Sequence, residues 1–107
     1  IHRSGQDLVT ARALLASEAG CDGVVASGEE PAILRPKVGP RFLIVTPGVR
    51  PAGKGVDDHH RATTPTQAIS AGADYLVVGR PIRDASDPAA AAAAILAEMQ
   101  QAFNTRG

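Results

Sequence analysis

The chain has 107 residues, 44% of them apolar, and its 11 basic residues balance 11 acidic ones to a formal net charge of zero. That length suits one domain with a modest core, while neutral charge, scattered basic residues and 3% aromatic content argue against nonspecific nucleic-acid binding or base stacking. Cys21 is the single cysteine, so no internal disulfide can form and a reducing, cytoplasmic setting is expected; no stretch is long and apolar enough to span a membrane, and no signal peptide is visible.

The first element is a helix over Asp7–Ala19, with Leu8, Ala11, Leu14 and Leu15 at helical spacing forming the apolar face. Gly20 follows as the residue just past its end. Gly23-Val24-Val25-Ala26 reads as a short buried strand, Ser27-Gly28 as a turn, and Glu29 to Arg35 as a short helix that Pro36 should end. Cys21, before that strand and with no basic cluster nearby, is expected to be a small buried hydrophobe. Arg41–Thr46 is a continuous apolar run, expected of a parallel strand covered on both faces.

Pro47 to Thr63 is a connection long enough to suggest function. Thr64-Pro65-Thr66-Gln67 is a helix start, with Thr64 as cap, Pro65 in the first turn and Gln67 closing a capping box; that helix should stop at Gly72. Asp74–Val78 is the third strand, and Asp87-Pro88 opens a last, alanine-rich helix to about Phe103, expected to pack closely as an outer layer. Asp22 and Asp74, each before a strand, read as turn or cap residues. Regular alternation implies right-handed crossovers and a parallel sheet. Ala19-Gly20-Cys21-Asp22 echoed by Ala71-Gly72-Ala73-Asp74 is what repeated units produce. Three parallel strands cannot close a barrel, which takes eight, and an open sheet would bare two apolar edges. The chain is therefore expected to be part of something larger or to pair with another chain, as its first residue, Ile1 rather than methionine, also suggests.

Chemistry gathers at two strand ends. Ile44-Val45-Thr46-Pro47-Gly48-Val49-Arg50-Pro51 and Val77-Val78-Gly79-Arg80-Pro81-Ile82 each run from β-branched residues into glycine and arginine. Such ends deliver backbone N–H groups and a guanidinium to one sheet edge, which suits a phosphate. Ser27, at a third strand end, is a further candidate to line the pocket. Asp57-Asp58-His59-His60 could suggest a metal, but adjacent histidines point apart and no further ligand has fitting spacing.

These segments, with Asp22-Gly23-Val24-Val25, Asp58 to Arg61 and Thr64-Pro65 with Gln67-Ala68 between them, occur in one order and spacing that closely resembles the C-terminal part of the orotidine 5′-phosphate decarboxylase family. The resemblance covers nearly the whole chain. It implies the C-terminal portion of a (β/α)8 TIM barrel, about three βα units, and residues 1–107 as its phosphate-binding half. It implies decarboxylation of orotidine 5′-monophosphate to uridine 5′-monophosphate, no metal or organic cofactor, and a homodimer in the complete enzyme.

By the same resemblance Pro47 packs beside the base, Arg50 contacts the phosphate, and Gly79 and Arg80 supply a backbone N–H and a guanidinium to it. Glycine at 79 would let the oxyanion approach closely, and arginine at 80 gives fork-shaped bonds that lysine would not. His59 stands where the family has a glutamine bridging phosphate and base. A neutral imidazole could keep an altered bridge; a protonated one would give binding that weakens as pH rises. The family's Asp-x-Lys-x-x-Asp array is absent, since neither Lys37 nor Lys54 has both flanking aspartates. Catalytic residues are therefore expected to lie outside this chain. Alternatives are a noncatalytic phosphate-binding piece, or a related sugar-phosphate decarboxylase or aldolase-like synthase, against which the Arg50-Pro51 segment argues.

Overall fold

A computed structural model describes residues 5–51 and 63–106. Three short strands, β1 (Gly23–Val25), β2 (Leu43–Thr46) and β3 (Tyr75–Leu76), form one sheet in the order β1-β2-β3. Both pairings are parallel, with Val24 opposite Ile44 and Val45 opposite Tyr75. Helices α1 (Gly5–Glu18), α2 (Glu30–Val38), α3 (Pro65–Ala71), α4 (Arg80–Arg83) and α5 (Pro88–Arg106) surround it.

Spatial order equals chain order, so each crossover steps one strand onward in the same direction. Right-handed crossovers then put α2 and α3 on the same face. The burial pattern agrees. Ala26, Ile44 and Ala73 belong to the core with Leu34 of α2 and Ala68 of α3, and Val24, Leu76 and Val78 pack against it. On the opposite face Val25 is 72%, Leu43 38% and Tyr75 57% exposed. β2 is thus covered on one face only, correcting the expectation of two. A sheet wound to one side, bare on the other, is how a barrel wall is built.

Leu34, Ile44 and Ile69 are each below 2% exposed, and full burial of such side chains is worth about 1.5–3 kcal/mol apiece. That outweighs any single cap, so packing sets where α2 and α3 lie and the caps set where they begin. The capping box forms as expected: Gln67 N–H donates to Thr64 Oγ1 at 3.1 Å, and Thr64 N–H to Gln67 Oε1 at 2.9 Å. Asp87 Oδ1 likewise accepts from Ala90 N–H at 3.1 Å to open α5. α1 ends through Gly20 (φ 94°), with Cys21 N–H reaching back to Ala16 O at 2.9 Å, the six-to-one bond of a glycine cap. α5 packs against α3 and α4, burying Ile95 and Ala102.

Four local expectations change. Pro36 lies inside α2, which continues to Val38; the proline removes only one N–H, on an exposed position where water can take over the orphaned carbonyl. In α1 the residue that reaches the core is Ala13, with Val9 beside it, while Leu8, Leu14 and Leu15 are exposed. Periodicity located an apolar face but could not say which neighbour it meets. Cys21 is exposed, because it falls in the turn before β1 and not in the strand. The short α4, begun at Arg80 with Pro81 in its first turn, was not anticipated.

At the N-terminal ends of the strands the polar groups form a clasp. The Arg35 guanidinium donates to Gly39 O at 2.8 Å, Phe42 O at 2.6 Å, Gly72 O and the Asp74 carboxylate. Asp74 Oδ2 also accepts from Ile44 N–H at 2.9 Å, and Arg106 lies 3.7 Å from Oδ1 while donating to Ile69 O and Ala73 O. Gly72 sits at φ 123°, and a Cβ there would stand 3.1 Å from Arg35 Cβ, so this glycine serves both the turn and the passage of the arginine. Asp74 is therefore a hub between strands and helices, more than the turn residue expected.

Candidate functional site

The opposite, C-terminal ends of the strands carry the residues singled out in the sequence. After β2 the chain passes half-buried Pro47, turns at Gly48 (φ 69°), buries Val49 to 1% exposure and reaches half-buried Arg50. Val49 pairs with Thr63 in an isolated parallel bridge, and Arg50 N–H donates to Thr63 O at 2.9 Å. The Arg50 backbone is thereby held at the stem of the connection leading to α3. After β3, Val77 N–H donates to Thr46 O at 2.9 Å, Val78 packs on the core, and Gly79 leads into α4.

Arg50 and Arg80 come together on one open hollow of about 750 Å³, bounded by Pro51, Pro81 and the first half of α5. Asp84, Asp87 and Glu98 share its wall. Each of these carboxylates already has a protein donor: Arg83 for Asp84, the Ala90 N–H for Asp87, and the N–H and Oγ1 of Thr66 for Glu98. The Arg83 hydrogen bond holds the Asp84 carboxyl below the usual carboxylate range, and the charges of Arg83 and Arg80 act in the same direction. The hollow therefore gathers two arginines on its wall, with the Asp84 carboxylate near enough to feel the charge of Arg80.

Pro47 and Gly79 do not line this hollow; they sit at the strand ends from which its arginine segments depart. Gly79 has a negative φ of −101°, and a Cβ built there would meet no atom within 4 Å. Neither a left-handed turn nor protein packing demands a glycine at that point. No described backbone hydrogen bond uses the N–H of Gly79 or Arg80. Ser27 is exposed, its N–H bonded to Glu30 Oε1, and it is not part of the hollow. His59 lies outside the described residues, as do Asp57, Asp58 and His60; among the described residues no group of three or more His, Cys, Asp or Glu could hold a metal ion. Nor is any helix among them long and apolar enough to cross a membrane. The carboxylates and Ser86 of the hollow were not singled out in the sequence, because only the fold brings α4 and α5 beside Arg50.

Comparison with known proteins decides the family. Residues 2–95 match the family model described as "Orotidine 5'-phosphate decarboxylase / HUMPS family". The chain belongs to that family. It is 56% identical over 97 residues to orotidine 5′-phosphate decarboxylase of Rhodopseudomonas palustris (strain HaA2), covering 91% of this chain and 41% of the relative. It is 55% identical over 102 residues to that of Xanthomonas campestris pv. campestris (strain 8004), covering 95% and 42%. The crystal structure of orotidine 5′-phosphate decarboxylase from Lactobacillus acidophilus superposes with a TM-score of 0.77 at 39% identity, over 92% of this chain and 39% of that one. The chain thus spans about two-fifths of the length of these orotidine 5′-phosphate decarboxylase relatives. Its one-sided parallel sheet is the C-terminal portion of their (β/α)8 TIM barrel.

Proposed function

We propose that this chain is the phosphate-gripping C-terminal part of an orotidine 5′-phosphate decarboxylase, which converts orotidine 5′-monophosphate to uridine 5′-monophosphate and carbon dioxide. The observation that carries the proposal is the convergence of Arg50 and Arg80, from the ends of adjacent strands, on one hollow. In a barrel that end of the strands is where ligands bind. Two guanidiniums give the forked, charge-assisted bonds a phosphate accepts. Gly79 supports the same role: the open space where a side chain would stand leaves room for an oxyanion beside the N–H groups of Gly79 and Arg80. Pro47 would border the base, and His59 would take the place of the bridging glutamine.

The phosphate is remote from the bond that breaks. Its binding energy raises the rate by positioning the substrate against groups that act elsewhere. Those groups, the Asp/Lys array, do not occur in this chain, so by this reading it binds and does not decarboxylate alone. The reading also takes the complete enzyme as a cytoplasmic homodimer without a cofactor. The relatives' printed names and the Arg50-Pro51 segment favour this substrate over a sugar phosphate.

A chimera tests it. The residues of the Rhodopseudomonas palustris relative that precede the matched region are joined to this chain, and loss of orotidine 5′-monophosphate is followed with release of carbon dioxide. Turnover by the chimera and none by the chain alone is expected. A folded chimera that is inactive where the relative itself is active would overturn the proposal.

A further inference from the structure

We infer that Thr46 is a positioning residue for the phosphate grip: its hydroxyl makes the ladder hydrogen bond that Pro47 cannot, and so fixes where the Arg50 segment leaves the sheet. The inference rests on the phosphate reading above and adds a residue that touches no ligand.

The register shows which bond is missing. In a parallel pair, every second residue of one strand bonds through its N–H and its C=O to two residues flanking its partner. Leu43 N–H donates to Asp22 O and Ala26 N–H donates to Val45 O, both at 2.9 Å. Continued by one step in the register of β1 on β2, the ladder would next run from the N–H of residue 47 to Ala26 O. Residue 47 is proline and has no N–H. Ala26 is 2% exposed, so its carbonyl is poorly placed to take water instead, and a buried acceptor without a donor is costly. Thr46 Oγ1 donates to it at 2.8 Å.

Thr46 is 0% exposed and is the one buried polar residue among those described. Its own carbonyl accepts from Val77 N–H at 2.9 Å. One residue therefore joins the ends of all three strands. Pro47 ends the ladder and frees the chain to turn at Gly48; the Thr46 hydroxyl keeps that release from loosening β1 against β2. Four residues on, Arg50 is fixed a second time through Thr63. Arg80, three residues beyond Val77, is referred to the same point. Packing alone would accept valine at position 46, since it fills the same volume; only the missing donor explains a hydroxyl there.

Uridine 5′-monophosphate binding to the full chain, measured by calorimetry beside a thermal unfolding scan, tests this. Thr46→Val is expected to weaken binding about tenfold, the value of one well-made hydrogen bond, while Thr46→Ser stays within about twofold because it keeps the donor. Should the valine variant not fold, Thr46→Ala against Thr46→Ser makes the same comparison. Valine binding like threonine, or serine binding as weakly as valine, would overturn the inference. Arg80→Ala in the same assay separates the two levels. If it binds like the unmutated chain, or if the unmutated chain prefers the nucleotide no more than uridine, the phosphate reading fails and takes this inference with it. If Arg80→Ala loses binding and Thr46→Val does not, only the role of Thr46 fails.

Discussion

The two ends of the sheet use arginine in opposite ways. At the N-terminal end, Arg35 and Arg106 turn inward and satisfy five backbone carbonyls and one carboxylate between them. At the C-terminal end, Arg50 and Arg80 line an open hollow whose carboxylates are engaged by other donors. The strand ends there are joined through a single buried residue, Thr46, by its hydroxyl to Ala26 O and by its carbonyl to Val77 N–H. By the proposed reading the same residue type serves stability at one end and phosphate recognition at the other, as barrels generally divide their two faces.

The largest effect should come from breaking the clasp. Arg35→Ala strips Asp74 of its main partner and leaves the carbonyls of Gly39, Phe42 and Gly72 without this donor. Removing one side of a largely buried pair costs about 3–5 kcal/mol, and the side chains of Arg35 and Asp74 are each only 20% exposed. A urea titration should show a stability loss of that order. A loss below about 1 kcal/mol would class the pair with ordinary surface ion pairs and erase the contrast between the ends.

Next comes Arg80→Ala, with the reverse signature. Uridine 5′-monophosphate affinity is expected to fall by about 2–4 kcal/mol, and stability to change by less than about 0.5 kcal/mol because the side chain is exposed. A loss of affinity within twofold would remove Arg80 from the site.

The contrast explains what could be read from the chain beforehand. Thr64-Pro65-Thr66-Gln67 and Asp87-Pro88 announced their helices because a cap is a local hydrogen bond, complete within four residues. Arg50 and Arg80 were legible because glycine and arginine at the end of a β-branched run form a local pattern too. Asp74 was not, since Arg35 and Arg106 reach it from 39 and 32 positions away. Its echo in the other repeat, Asp22, is exposed, so the repeated sequence carries no repeated role. The bare face of β2 was misread for a related reason. A continuous apolar run reports that a strand suits a buried place, and among the described residues no helix covers the Leu43 and Val45 face. Thr46 was legible in principle: a hydroxyl residue directly before a proline at a strand's end marks a lost ladder donor and its replacement together.

The smallest predicted effect refines the C-terminal end. Asp84 is the carboxylate of the hollow whose charge is felt by Arg80. Asp84→Asn removes a negative charge that competes with a phosphate for that guanidinium. Affinity for uridine 5′-monophosphate should rise up to about twofold at low salt and the gain should fade as salt screens it. Protonating Asp84 should not mimic the substitution between pH 7 and 5. Arg83 holds its carboxyl below the usual range, so it stays ionised throughout that window and would become neutral only at lower pH. The ligand phosphate does titrate there, with a second pKa of about 6. Affinity therefore declines from pH 7 to 5 in both proteins, and the ratio between them shrinks only in part, as the ligand loses one of its two charges. A ratio that collapses to one by pH 5 would put the Asp84 carboxyl above the usual carboxylate range instead of below it, because even an unpaired aspartate is still ionised at that pH.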